Sequence, residues 1–275
     1  MHEEHMQAPE PDRRDSFDRN ATAYAAGRPP YPPRVWSFLK EIGALRPGAR
    51  ILEIGPGTGL ATGELLRHGA IVDAVEQGAH LASVLRERLP DERLRIVHGD
   101  AHIVPFPSRD YDAVVAATTL HWLDTSRLVP RLAGVVRPGG WLVAWWNVFG
   151  DPDASTPFRE RVSRIYAQHL PSEWRDPREL PRAMRVADRL DELTAGGWFG
   201  EPWHELIRWT HRMDAAGVRA LFATFPNIEE LDDRRRVAIL DDLGQAVEDE
   251  GGVVDDPFVT AIYAARRTGT PAPER

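Results

Sequence analysis

Three glycines in five residues follow a short apolar run that contains one carboxylate. The segment Ile51–Gly59 reads ILEIGPGTG, with Glu53 ahead of Gly55, Gly57 and Gly59. Glycine lets the backbone turn sharply and approach a ligand without a Cβ between them. An apolar strand that ends in such a turn and leads into a helix is how α/β proteins hold nucleotide-like ligands. The glycines are therefore candidate ligand-binding residues, and Glu53 is a candidate for orienting the turn or attracting a cationic group through bridging water.

The spacing of the glycines differs from the dinucleotide fingerprint G-x-G-x-x-G. Gly55 and Gly57 fit its first two positions, but the third falls on Leu60, one residue after Gly59. The acidic residue Glu53 in the strand is also foreign to that fingerprint. Both departures point away from NAD and toward S-adenosylmethionine (SAM).

Two further carboxylates follow apolar runs in the same way. Glu76 ends one run and Asp100 follows another. A carboxylate at the position of Glu76 can accept hydrogen bonds from both hydroxyls of a ribose, which is a paired, charge-assisted form of recognition. Dehydrogenases also place an acid about 20 residues after their glycine turn, so Glu76 alone does not discriminate between the two cofactors.

The residues around Asp100 allow a second interpretation. His98, Asp100 and His102 alternate along the chain, and on a strand they would share one face as metal ligands do. That arrangement needs the strand to continue through Ala101 and His102, which more naturally begin a loop. The sequence therefore favours a ligand-binding acid over a metal site.

Alternating strands and helices must position these residues. Apolar runs predict strands over 50–54, 70–76, 94–98, 111–117 and 141–147, with helices that include 60–67 and 127–136 and a turn over 137–140. Because each strand is almost continuously apolar, we expect a parallel sheet that is covered on both faces. Ligands of such sheets bind beyond the carboxyl ends of the strands, where every candidate residue above falls.

The pattern changes after about residue 150. We predict helices over 158–169, 182–193, 215–224 and 228–250 and strands over 203–213 and 258–266. The polar residues 1–15 are expected to be disordered. The rest, 16–275, is expected to form a single domain, with a SAM-binding core (16–150), a helical lid or substrate region (151–200) and C-terminal strands and helices (201–275).

The segment ILEIGPGTG resembles the first motif of the class I SAM-dependent methyltransferases, hydrophobic–acidic–hydrophobic–G-x-G-x-G. The resemblance implies an α/β fold with a Rossmann-like, doubly wound, seven-stranded sheet. That sheet would be mostly parallel with an antiparallel C-terminal edge, and a helical insertion would form a lid. The resemblance also implies SAM as cofactor and S-adenosylhomocysteine (SAH) as product. In this scheme Asp100 accepts a bond from the adenine amine, and the cofactor-binding residues are Glu53, Gly55, Gly57, Gly59, Glu76, Gln77, Asp100, Ala101, Thr118 and Arg28.

The segment Tyr24–Pro32 resembles the Y-x-x-x-R-P-x-Y-P segment of a subgroup that includes trans-aconitate methyltransferase-like enzymes. In that subgroup the segment folds over the methionine end of SAM. The resemblance implies that Arg28 binds the SAM carboxylate or an acidic substrate. It also implies that Tyr24, a candidate catalytic residue, and Tyr31, a candidate substrate contact, line the methyl-transfer channel. The alternative is a proline-rich linker that packs its tyrosines onto the sheet.

His121 is the candidate general base, because it follows the fourth strand and an imidazole titrates near neutral pH. The alternative is that His121 only packs against the cofactor, with Trp122 forming a wall of the adenine pocket. Trp122 and Trp146 are the other candidate substrate contacts. Methyl transfer needs no base when the acceptor is already nucleophilic, since proximity and alignment can supply most of the acceleration.

Composition narrows the class of function. The 275 residues carry a net charge of −8 and contain no cysteine, which excludes disulfides and thiolate metal sites. The acidic balance disfavours a nucleic-acid partner, and no apolar run approaches the roughly 20 residues that span a membrane. We therefore expect a cytoplasmic enzyme that methylates a small molecule such as a secondary metabolite, with a homodimer as a possible assembly. The alternatives are a carboxylate O-methyltransferase of the trans-aconitate type and a SAM-binding cyclase that does not methylate.

Overall fold

A seven-stranded mixed sheet organises the chain, whose computed structural model describes residues 27–170 and 180–268. The strands are β1 (Arg50–Ile54), β2 (Ile71–Glu76), β3 (Leu94–His98), β4 (Tyr111–Ala117), β5 (Val136–Phe149), β6 (Phe199–Asp214) and β7 (Val253–Arg267). Their order across the sheet is β3-β2-β1-β4-β5-β7-β6. Strands β1 to β5 pair in parallel, whereas β7 runs antiparallel to both β5 and β6. The predicted doubly wound sheet with an antiparallel C-terminal edge is confirmed.

Helices cover both faces of this sheet. They are α1 (Pro33–Glu41), α2 (Leu60–Arg67), α3 (Ala79–Arg88), α4 (Thr125–Ala133), α5 (Pro157–His169), α6 (Val186–Thr194), α7 (Ala215–Ala223), α8 (Pro226–Glu229) and α9 (Asp233–Glu248). Short 3₁₀ turns occupy Leu120–Trp122, Arg182–Met184 and Ala195–Gly197. None of the helices in the described ranges is long and apolar enough to cross a membrane.

The buried apolar side chains form three clusters. Helices α1 to α3 pack on one face of the sheet around residues such as Leu39, Leu65 and Trp145. Helices α4 and α6 pack on the other face, where Trp146 and Tyr263 are buried. The third cluster joins α5, α7 and α9 to the sheet where β5 ends and β7 begins. This third cluster lies at the carboxyl end of β5, which is the side of the sheet on which ligands bind.

Several predicted boundaries were wrong. The predicted helix over 182–193 is a 3₁₀ turn at Arg182–Met184 followed by α6, and β6 and β7 begin at Phe199 and Val253, ahead of their predicted starts at 203 and 258. The predicted turn over 137–140 lies inside β5, which begins at Val136 and bulges between the pairs Tyr111–Val136 and Ala113–Trp141. The bulge absorbs the extra residues, so the strand resumes after them in register with β4. The predicted helix over 228–250 is broken into α8 and α9, because Asp232 caps a new helix by accepting a bond from the Arg235 N–H.

Candidate functional site

A cavity of about 570 Å³ lies at the carboxyl ends of β1, β2 and β4. Its volume is in the range of about 300–1,000 Å³ that is typical of small-molecule sites. Among the lining residues are Arg28, Tyr31, Gly55, Gly57, Glu76, Gln77, Ala101, Thr118, His121 and Trp122. Most of the residues that the sequence selected from separate strand ends are therefore brought together around one space.

The three glycines of the turn meet different requirements. A Cβ on Gly55 would lie 2.3 Å from Thr119 Cγ2, and one on Gly59 would lie 2.6 Å from Leu85 Cδ1. A Cβ on Gly57 would have nothing within 4 Å, although its φ of +57° favours glycine. Gly55 and Gly59 thus allow the turn to pack, and Gly57 leaves its backbone bare toward the cavity.

Glu76 fixes the turn from the neighbouring strand. Its side chain is buried, and its Oε2 accepts a hydrogen bond from the Gly57 N–H at 2.9 Å. Its Oε1 accepts one from the Gly78 N–H at 2.8 Å. Glu76 also lines the cavity, so the carboxylate that fixes the turn lies at the space where a ligand would bind.

Glu53 lies beneath the turn rather than against the cavity. It is fully buried, and Thr62 Oγ1 donates to its Oε2 at 2.7 Å, while Oε1 has no hydrogen-bond partner among the described residues. Burial raises the pKa of Glu53 to about 7, opposed by the Thr62 hydrogen bond and assisted by the negative charge of Glu76. Glu53 therefore supports the turn from below, and its predicted contact with the cofactor stays a prediction.

Asp100 is turned toward its own loop. Its Oδ1 accepts hydrogen bonds from the His102 backbone N–H at 2.8 Å and pairs with His102 Nδ1 at 2.7 Å. Its neighbours Gly99 and Ala101 line the cavity, but Asp100 is not among the lining residues. His98 Nε2 lies 3.1 Å from the Gln77 carbonyl oxygen instead of facing Asp100. No cluster of three or more metal-ligating side chains is found within the described ranges.

These features fit SAM. Gly57 offers a cradle without a Cβ, and Glu76 offers acceptor oxygens for two adjacent hydroxyls. The Thr58 hydroxyl lines the same cavity and is buried without a hydrogen-bond partner in the described part of the chain. A buried polar atom of this kind calls for a polar ligand. Beside Gln77, the apolar side chains of Leu81, Ala101 and Leu123 supply a wall for a flat ring such as adenine.

The opposite end of the cavity is built from side chains. The Tyr31 hydroxyl lies 3.1 Å from Thr118 Oγ1, and Thr118 has an unusual φ of +59°. Thr119 Oγ1 donates to the Gly55 carbonyl at 2.9 Å, which ties this end to the glycine turn. Backbone strain at a non-glycine residue clusters at functional sites. The predicted catalytic residue Tyr24 lies outside the described residues.

Arg28 is held over this end by the C-terminal half of the chain. Its Nη2 donates to the Thr224 carbonyl at 3.1 Å, and its guanidinium carbon lies 5.0 Å from the Phe149 ring centre and 5.3 Å from that of Phe225. Pro226, at the start of α8, also lines the cavity. The Thr224 carbonyl and two aromatic faces therefore orient a cation at this end of the cavity.

His121 joins the cavity to the core behind it. The Trp146 indole Nε1 donates to His121 Nδ1 at 2.8 Å, and the Trp122 ring centre lies 4.6 Å from the imidazole. Trp146 itself is buried and does not line the cavity, so it reaches a substrate only through His121. Burial, together with the charges of Arg182, Arg189 and Arg28, lowers the pKa of His121 to about 4.

Several residues of this end were missed by the sequence reasoning. Pro226 lines the cavity, Thr119 braces the turn, and Arg182 and Arg189 act on His121. Thr119 directly follows Thr118, a predicted cofactor-binding residue, so its neighbour in the sequence was a local signal for its place at the site. The other three lie 60 or more residues from His121 in the chain, and no short motif indicates that they pack there.

Comparison with known proteins places this fold and site in context. A family described as "Methyltransferase domain" matches residues 52–144. Uncharacterised methyltransferases of Mycobacterium tuberculosis and Mycobacterium bovis are 38% identical over 138 residues, which is 49% of this chain and 54% of theirs. This chain thus spans about half the length of those relatives. A trans-aconitate 2-methyltransferase of Mycolicibacterium gilvum is 33% identical over 191 residues, covering 66% of this chain and 69% of that protein.

Solved structures show the same fold. A protein of Anaeromyxobacter dehalogenans assigned as a type II methyltransferase superposes with a TM-score of 0.68 at 22% identity, covering 88% of this chain and 99% of that one. The phosphoethanolamine N-methyltransferase 2 of Haemonchus contortus, solved with phosphomonomethylethanolamine and SAH, superposes with a TM-score of 0.55 at 19% identity. That match covers 94% of this chain and 59% of the other.

Proposed function

This chain belongs to the class I SAM-dependent methyltransferases, and on that premise we propose that it transfers a methyl group to a small-molecule acceptor of secondary metabolism. SAM is its cofactor. The observation that supports a small-molecule acceptor is that a single continuous cavity has room beside the residues that would bind the cofactor. Gly57 and Glu76 at one end and Arg28 and His121 at the other line the same space of about 570 Å³.

The residues that line the cavity would have different tasks in this reaction. SAM would supply an electrophilic methyl group on its sulfonium, and the residues that line the cavity would hold it beside the acceptor. Gly57 would present bare backbone to the cofactor, and Glu76 would hold its ribose hydroxyls. Arg28 and Tyr31 line the end of the cavity where the acceptor would bind. Alignment of two bound reactants supplies much of the acceleration in such a methyl transfer.

A carboxylate acceptor is the second candidate. Arg28 lines the cavity, and a guanidinium is well suited to bind a carboxylate. The trans-aconitate 2-methyltransferase of M. gilvum is among the relatives of this chain. This candidate would make the enzyme a carboxylate O-methyltransferase.

Labelled SAM separates these functions. The purified protein is incubated with methyl-labelled SAM and a metabolite extract of its source cells, and the label is then separated by molecular size. We expect the label in low-mass, organic-soluble material. Label in protein or nucleic acid would overturn the small-molecule acceptor. Retention of SAM without transfer would favour a cyclase or a SAM-binding protein on the same fold.

A further inference from the structure

Resting on the function proposed above, we propose that His121 is a neutral hydrogen-bond donor that binds the acceptor's carboxylate, with Trp146 as the positioning residue that sets its tautomer. His121 then removes no proton. The substrate class that follows is a small carboxylic acid, which is already ionised when it binds.

The first observation is the direction of the bond between the two side chains. An indole N–H can only donate, so Nδ1 of His121 must be the acceptor at 2.8 Å. A neutral imidazole whose Nδ1 accepts carries its proton on Nε2. Nε2 has no hydrogen-bond partner among the described residues, and His121 lines the cavity. The N–H of Nε2 is thus the group that His121 can offer a ligand.

The second observation is the charge behind this pair. Arg189 is only 2% exposed, and its guanidinium carbon lies 5.9 Å from the centre of the Trp146 ring. The Arg189 guanidinium donates to Glu192 Oε1, which also accepts a hydrogen bond from Arg182 Nη2 at 3.2 Å. Glu192 therefore bonds to both guanidinium groups, and the Asp188 carboxylate also acts on Arg189. Arg182, Arg189 and Arg28 all act on His121 through their positive charges.

The positive charges that act on His121 have two consequences. A second proton on His121 is disfavoured, which agrees with burial and three arginines lowering its pKa to about 4. A negative ligand is attracted to the same place. Phenols, with an ordinary pKa near 10, would need a base at this end of the cavity, whereas carboxylic acids, with values near 4, would not.

The proposed step balances without a base. One carboxylate oxygen accepts the bond from His121 Nε2–H, and the other oxygen attacks the methyl carbon. The carbon–sulfur bond breaks as the carbon–oxygen bond forms, and the electron pair of the broken bond stays on sulfur. The anion and the sulfonium cation become a neutral ester and a neutral thioether, so no proton is released.

Nitrogen-15 NMR of the complete chain tests the tautomer without any acceptor. In the complex with SAH, we expect His121 to stay neutral from pH 5.5 to 8, with its proton on Nε2. In Trp146→Phe, which keeps an aromatic ring but loses the indole donor, we expect a mixture of tautomers. Titration of wild-type His121 near pH 6.5, or a proton on Nδ1, would overturn the donor role.

Two substitutions at His121 separate a donor from a base. The side-chain amide of His121→Gln can place an N–H near the position of Nε2 but cannot take a proton at neutral pH, whereas His121→Ala offers neither. We expect kcat/KM to fall about 10- to 100-fold in His121→Ala, since a hydrogen bond to a charged group is lost. His121→Gln should retain at least about tenfold more activity than His121→Ala. Equal losses in both variants, with SAH binding intact in both, would contradict the donor role.

A matched panel tests the substrate class. Small carboxylic acids, their primary amides, phenols and amines are each offered with methyl-labelled SAM, and the products from the cell extract are identified. We expect methyl esters of acids and no label in the amides. Labelled ethers or N-methyl products with inert acids would overturn the carboxylate assignment. SAH binding with no transfer to the panel or the extract would instead contradict the proposed function, while the NMR result would still decide the state of His121.

Discussion

The two ends of the cavity are built by different means. At the cofactor end, backbone groups of the glycine turn and of Gly78 bond directly to Glu76 at 2.8–2.9 Å. At the acceptor end, Arg28, Tyr31 and His121 come from separate segments and are oriented by aromatic rings and threonines. The first end depends on a short stretch of β1 to α2 and one carboxylate. The second depends on the packing of both halves of the chain.

The difference between the two ends reflects what each has to bind: one end binds a cofactor that does not vary, and the other binds an acceptor that does. A cofactor that is always the same can be held by backbone atoms, which substitutions of side chains leave in place. An acceptor that differs between enzymes needs side chains, and here they are held from the C-terminal half, where Thr224 and Phe225 fix Arg28. The comparison predicts that substitutions at the two ends will affect different measurements.

The largest effect is expected at Glu76. Glu76→Ala removes the acceptor proposed for the ribose hydroxyls and leaves the N–H groups of Gly57 and Gly78 without their Glu76 partner. The loss of two charge-assisted bonds should weaken SAH binding about 1,000-fold, as measured by calorimetry. Glu76→Gln keeps one acceptor oxygen and should bind SAH more tightly than Glu76→Ala. Wild-type affinity in a folded Glu76→Ala would remove Glu76 from the cofactor end.

The next effect concerns stability at the cofactor end. The pKa of Glu53 is raised from 4.5 to about 7, so the folded protein holds a proton that the unfolded chain has released between these pH values. Stability therefore falls as the pH rises through this range and levels off above it. At pH 8 the free energy of unfolding should be lower than its value below pH 4.5 by on the order of 3 kcal/mol.

Glu53→Gln should remove this loss. Urea unfolding of the wild type and of Glu53→Gln at pH 5, 6, 7 and 8 should show the difference in unfolding free energy shifting in favour of the variant as the pH rises. Parallel pH profiles for the two proteins would show that Glu53 does not titrate in this way.

A smaller effect is expected at Gly57. Gly57→Ala adds a methyl group that faces the cavity and forces alanine to a φ of +57°. Gly43, at the end of α1, has a φ of +75° and also has open space at its Cβ position, but it lies away from the cavity. Both alanine variants should lose about 1 kcal/mol of stability. Only Gly57→Ala should weaken SAH binding, by about tenfold; equal SAH affinities in the two variants would show that Gly57 does not approach the cofactor.

The sequence predicted the cofactor end better than the acceptor end, for a physical reason. Glycines and carboxylates at the ends of apolar runs are local signals, and the parallel sheet brings those ends together without any further information. The strand bounds of β1, β3 and β4 agree with the predicted ranges for the same reason. The bulge in β5 and the break before α9 depend on individual contacts that the apolar pattern does not carry.

The acceptor end depends on long-range packing. The role of His121 changes with its bond to Trp146, which comes from another strand, and with arginines from the segment 182–189. A sequence shows that an imidazole is present, but not which of its two nitrogens carries the proton. The base and packing alternatives for His121 therefore had equal support from the sequence, and the bond from Trp146 adds the donor role proposed above.

The division of the cavity into two ends is tested most directly by titrating SAH into His121→Ala and comparing the dissociation constant with those of the wild type and Glu76→Ala. We expect His121→Ala to bind SAH within about threefold of the wild type, because its loss concerns the acceptor. Glu76→Ala should lose most of its affinity. If His121→Ala weakens SAH binding as much as Glu76→Ala does, the two ends are not separate and His121 belongs to the cofactor site.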